Sequence, residues 1–201
     1  MGGFVVTCVD GGRQNGMREV LMMLKMAAFH LEGPAEIASS AGGIREDLQR
    51  ERAEAKKSEF TVLGGRRDSD ILFIRNDTNY TEISIYNALI THTQRAEYVR
   101  RIIPVHSIFT LSVENLVKAA KESCELIGTQ ESFRISLSKR LCAHISSEFI
   151  IAKVAESIPR KVDLKTPDKV VMVEIAKDLC AIGVLHPCPG NYNIIRGPRE
   201  Q

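Results

Sequence analysis

The chain has 201 residues, 44% hydrophobic and 26% charged, with 27 Lys or Arg against 25 Asp or Glu for a net charge of +2. That length supports one large domain or two small ones with separate cores. No apolar run approaches the roughly 20 residues of a membrane span, and the start carries glycines and a strand-like segment where a secretory signal would be basic and then apolar, so intracellular residence is expected.

So small a net charge does not announce a nucleic-acid binder, and any such surface must be a local cluster of Lys and Arg. Cys8, Cys124, Cys142, Cys180 and Cys188 are an odd number, widely spaced and mostly among apolar neighbours. This suits reduced core thiols without disulfides.

In chain order, Phe4 to Val9 is a short apolar run ending at Asp10-Gly11-Gly12, which reads as a buried strand. From Met17 the positions Val20, Leu21, Leu24, Ala28 and Leu31 repeat at helical spacing, with Asn15 as N-cap and Gly33-Pro34 as stop. Residues 34–58, mixed in sign and nearly devoid of large apolar groups from Arg45 to Lys57, are expected to be a mobile charged insertion. Phe60 to Leu63 and Ile71 to Arg75 read as strands around Gly64-Gly65, Ile83, Tyr86, Leu89 and Ile90 mark a second helix, and Tyr98 to Val105 a fourth strand. That order is the split βαβ arrangement of a ferredoxin-like domain.

Beyond a boundary near Pro104 to Phe109, Val113, Leu116, Val117, Ala120, Cys124 and Ile127 form a helical stripe capped by Ser112 and ended by Gly128. Phe133, Ile135 and Leu137 alternate with Ser132, Arg134 and Ser136, a strand with one wet face. A further helical stripe runs through Ile150, Ile151, Val154, Ala155 and Ile158, from Ser146 as cap to Pro159 as terminator. Val170 to Ile175 and Cys180 to Leu185 are apolar strand runs separated by Ala176-Lys-Asp-Leu179, a hairpin or a close antiparallel pair. The expected class is therefore α+β, an N-terminal ferredoxin-like domain over residues 1–106 and a second α/β unit over 107–188, with 189–201 as a tail.

The segment Lys161-Val-Asp-Leu-Lys-Thr-Pro-Asp-Lys-Val-Val-Met-Val-Glu-Ile175, in which Asp163 and Pro167 bracket a turn feeding a strand, is the most specific stretch. Together with Phe133 to Arg140 and the helix from Glu148 to Ser157, it resembles the THUMP domain, an RNA-binding module of tRNA-modifying enzymes and acetylation adaptors. Within that superfamily, Gly3 to Cys8, Phe73-Ile-Arg75, Arg101 to Val105 and Val173 to Cys180 look like segments of the THUMP-domain tRNA acetyltransferase adaptors, so the resemblance covers roughly residues 3 to 186. It implies a noncatalytic protein that holds tRNA by its shape and acceptor end. A separate acetyl-CoA- and ATP-dependent RNA cytidine acetyltransferase would then form N4-acetylcytidine, in the nucleus of a eukaryote or otherwise in the cytoplasm. One departure stands out: where the family has Arg-Asn after the THUMP strand, this chain has Arg140-Leu141.

The candidate RNA-binding residues are Lys139 and Arg140 at a strand end, Lys153 on the next helix, and Arg160, Lys161 and Lys165 in its exit turn, with Arg134 on the wet face of the strand. They are expected to converge, contact phosphates and release counterions, making affinity fall with salt. The alternative is a set of ordinary solvated charges. With no tryptophan and no interleaved aromatic-basic motif, recognition should be led by shape.

Catalytic readings have less behind them. Asp10-Gly-Gly-Arg-Gln-Asn-Gly16 sits where a phosphate loop would but matches neither nucleotide-binding pattern. Cys142 with His144, and Cys180 with His186 and Cys188, lack the paired spacing of a zinc site. His92 and His106 have no nucleophile placed beside them by sequence. No cofactor or metal is expected, and a modifying enzyme would need about 150 further residues of catalytic fold. A small THUMP-containing tRNA-modifying enzyme with its own cofactor site is the second reading, and a pure protein scaffold the third.

Overall fold

A computed structural model describes residues 1–32, 59–63, 70–92, 96–188 and 192–194. The charged segment 34–58, the Gly33-Pro34 stop, the Gly64-Gly65 turn and most of the expected tail lie outside these residues. Nine strands and four helices are seen among them: β1 (Gly3–Cys8), α1 (Arg13–Glu32), β2 (Phe60–Leu63), β3 (Ile71–Asn76), α2 (Glu82–His92), β4 (Val99–Val105), β5 (Ser107–Thr110), α3 (Val113–Glu125), β6 (Ser132–Arg140), α4 (Ser147–Ser157), β7 (Lys161–Val162), β8 (Lys169–Ala176) and β9 (Leu179–Leu185).

The first sheet has the order β2-β3-β1-β4 with every neighbouring pair antiparallel. Side chains alternate across it. Phe4, Val6 and Cys8 face α1 and α2, and Gly16 of α1 comes so close that a Cβ there would meet the Cys8 sulfur. α1 starts at Arg13, so Asn15 lies in its first turn and does not cap it. Glu19 fixes the helix to the sheet, its carboxylate accepting from the amides of Glu97, Tyr98 and Val99 at 2.6 to 2.8 Å.

The second sheet has the order β5-β9-β8-β6-β7. β5 and β7 are short additions that periodicity did not reveal. Ser112 and Ser146 cap α3 and α4 as their sequence positions suggest, each side chain accepting from the amide three residues on. One face of this sheet, through Val171, Val173, Ile175 and Ile182, packs on Leu116, Ala120, Ile150 and Val154 of the two helices.

The other face lies against the first sheet. Val170, Met172, Ala181 and Leu185 are buried in one core with Val5, Phe73, Ile103 and Val105. The molecule is thus four layers deep: helices, sheet, sheet, helices. The approach is tight at Gly183, where a methyl group would stand 2.7 Å from the Pro104 carbonyl oxygen. Across the same seam the buried Glu174 accepts from Arg101 at 3.0 Å. Burial pushes the Glu174 carboxyl above its ordinary range, with the Arg101 guanidinium pulling it partly back.

The sheets divide at His106, the single residue between β4 and β5. Its ring meets the Ser123 hydroxyl at 3.2 Å, and burial holds its pKa below the ordinary imidazole value. Residues 192–194, read from sequence as part of a tail, run along the outer edge of β4: Ile102 N donates to Tyr192 O, Ile194 N to Arg100 O, and the buried Tyr192 ring packs on Tyr86. An otherwise open strand edge is covered in this way.

The closeness of the sheets sets the first expectation. Gly183→Ala forces backbone against backbone, so it should lower stability by about 1–3 kcal/mol. Urea unfolding measures this, and an unchanged midpoint would show that the two sheets are not in tight contact there.

Candidate nucleic-acid interface

All seven cations singled out in the sequence lie in one βαβ unit, β6-α4-β7 and the loop after it, at the edge of the second sheet. Residues 132–165 contain seven Lys or Arg and three Asp or Glu, a net of +4, whereas the whole chain carries +2. The basic character of the protein is therefore concentrated on this edge.

The expected convergence does not occur, and the cause is topological. β6 is parallel to both β7 and β8, with Ser132 opposite Lys161 and Arg140 opposite Ala176. A parallel pair needs a crossover, and α4 supplies it by returning the chain to the starting end of β6. Lys139 and Arg140 therefore stand at one end of the strand, and Arg160, Lys161 and Lys165 at the other. The eight residue steps between Ser132 and Arg140 span roughly 26 Å at about 3.3 Å each.

Adjacent strand residues also point to opposite faces. Arg134, Arg140 and Lys161 share the face turned toward the first sheet, as the pairing register requires. Lys139 points to the helix side, where its ammonium donates to the Ile145 carbonyl just before α4.

Several of the seven are already engaged. Arg140 pairs with Asp70 of the first unit at 2.7 Å, so it ties the two units together as well as carrying charge. Lys153 pairs with Glu156 at 2.8 Å and lies 5.8 Å from the centre of the Phe149 ring. Arg160 donates to the carbonyls of Ile127 and Pro159, which leaves its charge uncompensated by a carboxylate in those bonds. Arg134, Lys161 and Lys165 are exposed.

The turn that presents Lys161 and Lys165 is firmly held. Asp163 accepts from the amides of Lys165 and Thr166, both at 2.9 Å, and from the Thr166 hydroxyl. Asp168 accepts from the amide and hydroxyl of Ser132 at 2.8 and 2.7 Å, and Pro167 between them is buried. These amides hold both carboxyls below the ordinary carboxylate range, with Lys161 nearby adding to the effect.

Sequence reasoning missed the cations contributed by other segments to the Arg140 end. Arg75, bonded to Asp77 and Thr61, and Lys177 in the β8–β9 turn line a cleft of about 710 Å³ between the two sheets. Its walls include Ile71, Phe73, Phe109 and Leu141. Leu141 and Lys177 both have φ in the left-handed region, at 53° and 56°. That conformation is comfortable for Asn and strained for Leu, which gives a physical meaning to the Arg140-Leu141 departure. The motif Phe73-Ile-Arg75 was visible in the sequence, but its position at this cleft depends on the packing of the sheets.

All five cysteines are free thiols, and burial pushes the Cys8 thiol up to about 11. Among the described residues no group of three or more His, Cys, Asp or Glu is arranged to hold a metal, and no helix is long and apolar enough to cross a membrane.

Residues 112–185 match the family model of the THUMP domain, so the chain carries a THUMP domain, and its basic βαβ edge lies within it. Among solved structures, PH1313 from Pyrococcus horikoshii Ot3 is similar over 92% of this chain and 54% of its own, at 17% identity and a TM-score of 0.57. A 4-thiouridine synthetase solved with RNA and bound ATP is similar over 94% of this chain and 42% of its own, at 16% identity and 0.47. The solution structure of the THUMP domain of THUMP domain-containing protein 1 aligns with 39% of this chain and 93% of that domain, at 25% identity and 0.30. The chain spans about half the length of the first solved structures it matches. No curated protein matches its sequence.

The held turn has a pH signature. A carboxyl whose folded-state value lies below its unfolded value stabilises the fold above the unfolded pKa, and that contribution is lost as pH falls through the folded one. The turn at residues 163–168 should therefore stay closed at neutral pH and open only below about 3.9, the ordinary aspartate value. Amide exchange at Lys165 and Thr166 followed down a pH series checks this, and opening at pH 5 to 6 would contradict it.

Proposed function

We propose that this protein is a tRNA-binding adaptor that presents tRNA to a separate cytidine acetyltransferase for N4-acetylcytidine formation. The observation that carries the RNA half of this reading is the concentration of charge on the β6-α4-β7 edge of the THUMP domain, +4 over residues 132–165 in a chain of net +2.

A row of cations spread over roughly 26 Å along one edge suits a rod of regularly spaced phosphates better than a compact anion. Such contacts register the duplex without reading its bases. The N-terminal unit, with two helices on one face of an antiparallel sheet of order β2-β3-β1-β4, is assigned as ferredoxin-like. Arg75 and Arg140 at the seam, each paired with an aspartate, continue the edge toward it.

The adaptor half rests on the resemblance of the segments 3–8, 73–75, 101–105 and 173–180 to the acetylation adaptors. In this reading the protein supplies grip and geometry, and the partner enzyme supplies acetyl-CoA, ATP and the reacting groups.

The test pairs two measurements. Lys161→Ala with Lys165→Ala should weaken tRNA binding about 10-fold at moderate salt and reduce the slope of log affinity against log salt by about 2. Lys153→Ala, which removes a cation already paired, should do less. Unchanged affinity and slope in the double variant would refute the placement. For the adaptor half, N4-acetylcytidine should form in tRNA only when both this protein and the acetyltransferase are present. Saturable binding of acetyl-CoA, S-adenosylmethionine or ATP to this chain by itself would favour an enzyme instead.

A further inference from the structure

The outward side of the N-terminal helix layer carries an apolar stripe with no partner among the described residues. Met22, Met26 and Phe29 of α1 are 60%, 52% and 70% exposed. At about 100° per residue the three α1 positions fall within about 60° of arc, so they form one line. The two helices meet along this side, where the His30 and His92 rings stack at 4.0 Å beside Phe29. Contiguous exposed apolar groups of this kind mark interaction surfaces.

The charges around the stripe indicate what would cover it. Arg18 and Lys25 flank it and are exposed. The two acidic groups that could oppose them from these helices are withdrawn: Glu19 is bound to three backbone amides, and the half-buried Glu82 accepts from Asn76. Glu32, at the far end of α1, is the one exposed carboxylate of the two helices.

A two-fold pairing of this chain with itself, centred on the stripe, would place Lys25 against its own copy near the axis. A nucleic acid would leave the Met and Phe side chains without apolar contacts. We infer that this face docks a partner protein through an acidic amphipathic helix, which sets its apolar side on Met22, Met26 and Phe29 and its carboxylates against Arg18 and Lys25. Unbranched methionines adapt to such a helix with little strain. The inference builds on the adaptor reading, because an adaptor needs a protein-binding face separate from its RNA-binding edge.

The test uses the full chain labelled at its methionine methyl groups. The probe is a synthetic peptide of about 20 residues, with Leu at i, i+3, i+4 and i+7 spacing and Glu elsewhere. The Met22 and Met26 signals, assigned with Met22→Leu and Met26→Leu, should shift saturably on addition of peptide. The shifts should vanish in Met26→Asp with Phe29→Asp, and affinity should fall about 10-fold in Arg18→Glu with Lys25→Glu. tRNA binding should be retained in both variants, which also reports that they are folded and keeps a failure here distinct from failure of the RNA reading. The inference is overturned if these methyls do not respond, or if a Lys-for-Glu peptide binds equally well. It is also overturned if the same signals shift with protein concentration alone, on deletion of residues 36–56 or with phosphatidylglycerol vesicles in place of peptide. Loss of tRNA binding in Met26→Asp with Phe29→Asp would assign the face to RNA and reject it as well.

Discussion

The contact of one sheet with the other is the constraint on which the remaining geometry depends. Each sheet has a helical layer on one side, and each carries too much apolar surface on the other to face water. Val5, Phe73, Ile103 and Val105 are buried only because Val170, Met172, Ala181 and Leu185 cover them. Gly183 lets the backbones approach, and the Arg101–Glu174 pair fills a polar position in the seam at the cost of desolvating two charges. Because the sheets meet face to face, the N-terminal unit has a fixed position beside the THUMP domain. The cleft lined by Arg75, Leu141 and Lys177 is a consequence of that position.

The same topology shapes the cationic edge. A parallel β6–β7 pair requires a helix that carries the chain back along the strand, so charges that follow one another in sequence are separated along the edge. Pairing then divides them further. Arg140 and Lys153 are each matched by a carboxylate, whereas Lys161 and Lys165 stand on a turn fixed by Asp163 and Asp168. Two carboxylates held below their usual range keep that turn closed, and a cation on a rigid turn loses less entropy on meeting a phosphate than one on a loose loop. The edge therefore combines exposed charge with a prearranged shape.

Much of this was legible in the residues. The helical stripes, the Ser112 and Ser146 caps, the alternation through Phe133, Ile135 and Leu137 and the β8–β9 turn all follow from local periodicity and capping chemistry. β5 and β7 were not legible, because four-residue and two-residue strands are defined by their neighbours and have no period of their own. The convergence of the cations was misjudged for a related reason: sequence order gave the elements but not the parallel register that separates Lys139 from Lys161. Ile83 and Ile90 helped mark a helix and yet are exposed, since helical spacing identifies a face without saying what covers it. Residues 192–194 read as tail because Pro and Gly surround them, and only the open edge of β4 explains their placement.

In the proposed reading, folded tRNA lies along the β6-α4-β7 edge of the THUMP domain while the outer helix layer stays free for protein. Hydrogen exchange of the full chain with and without tRNA tests it most directly. Protection should appear in residues 132–165 and in the turn at 176–179, with α1 and α2 unchanged. Protection confined to α1 and α2, with none along residues 132–165, would contradict it.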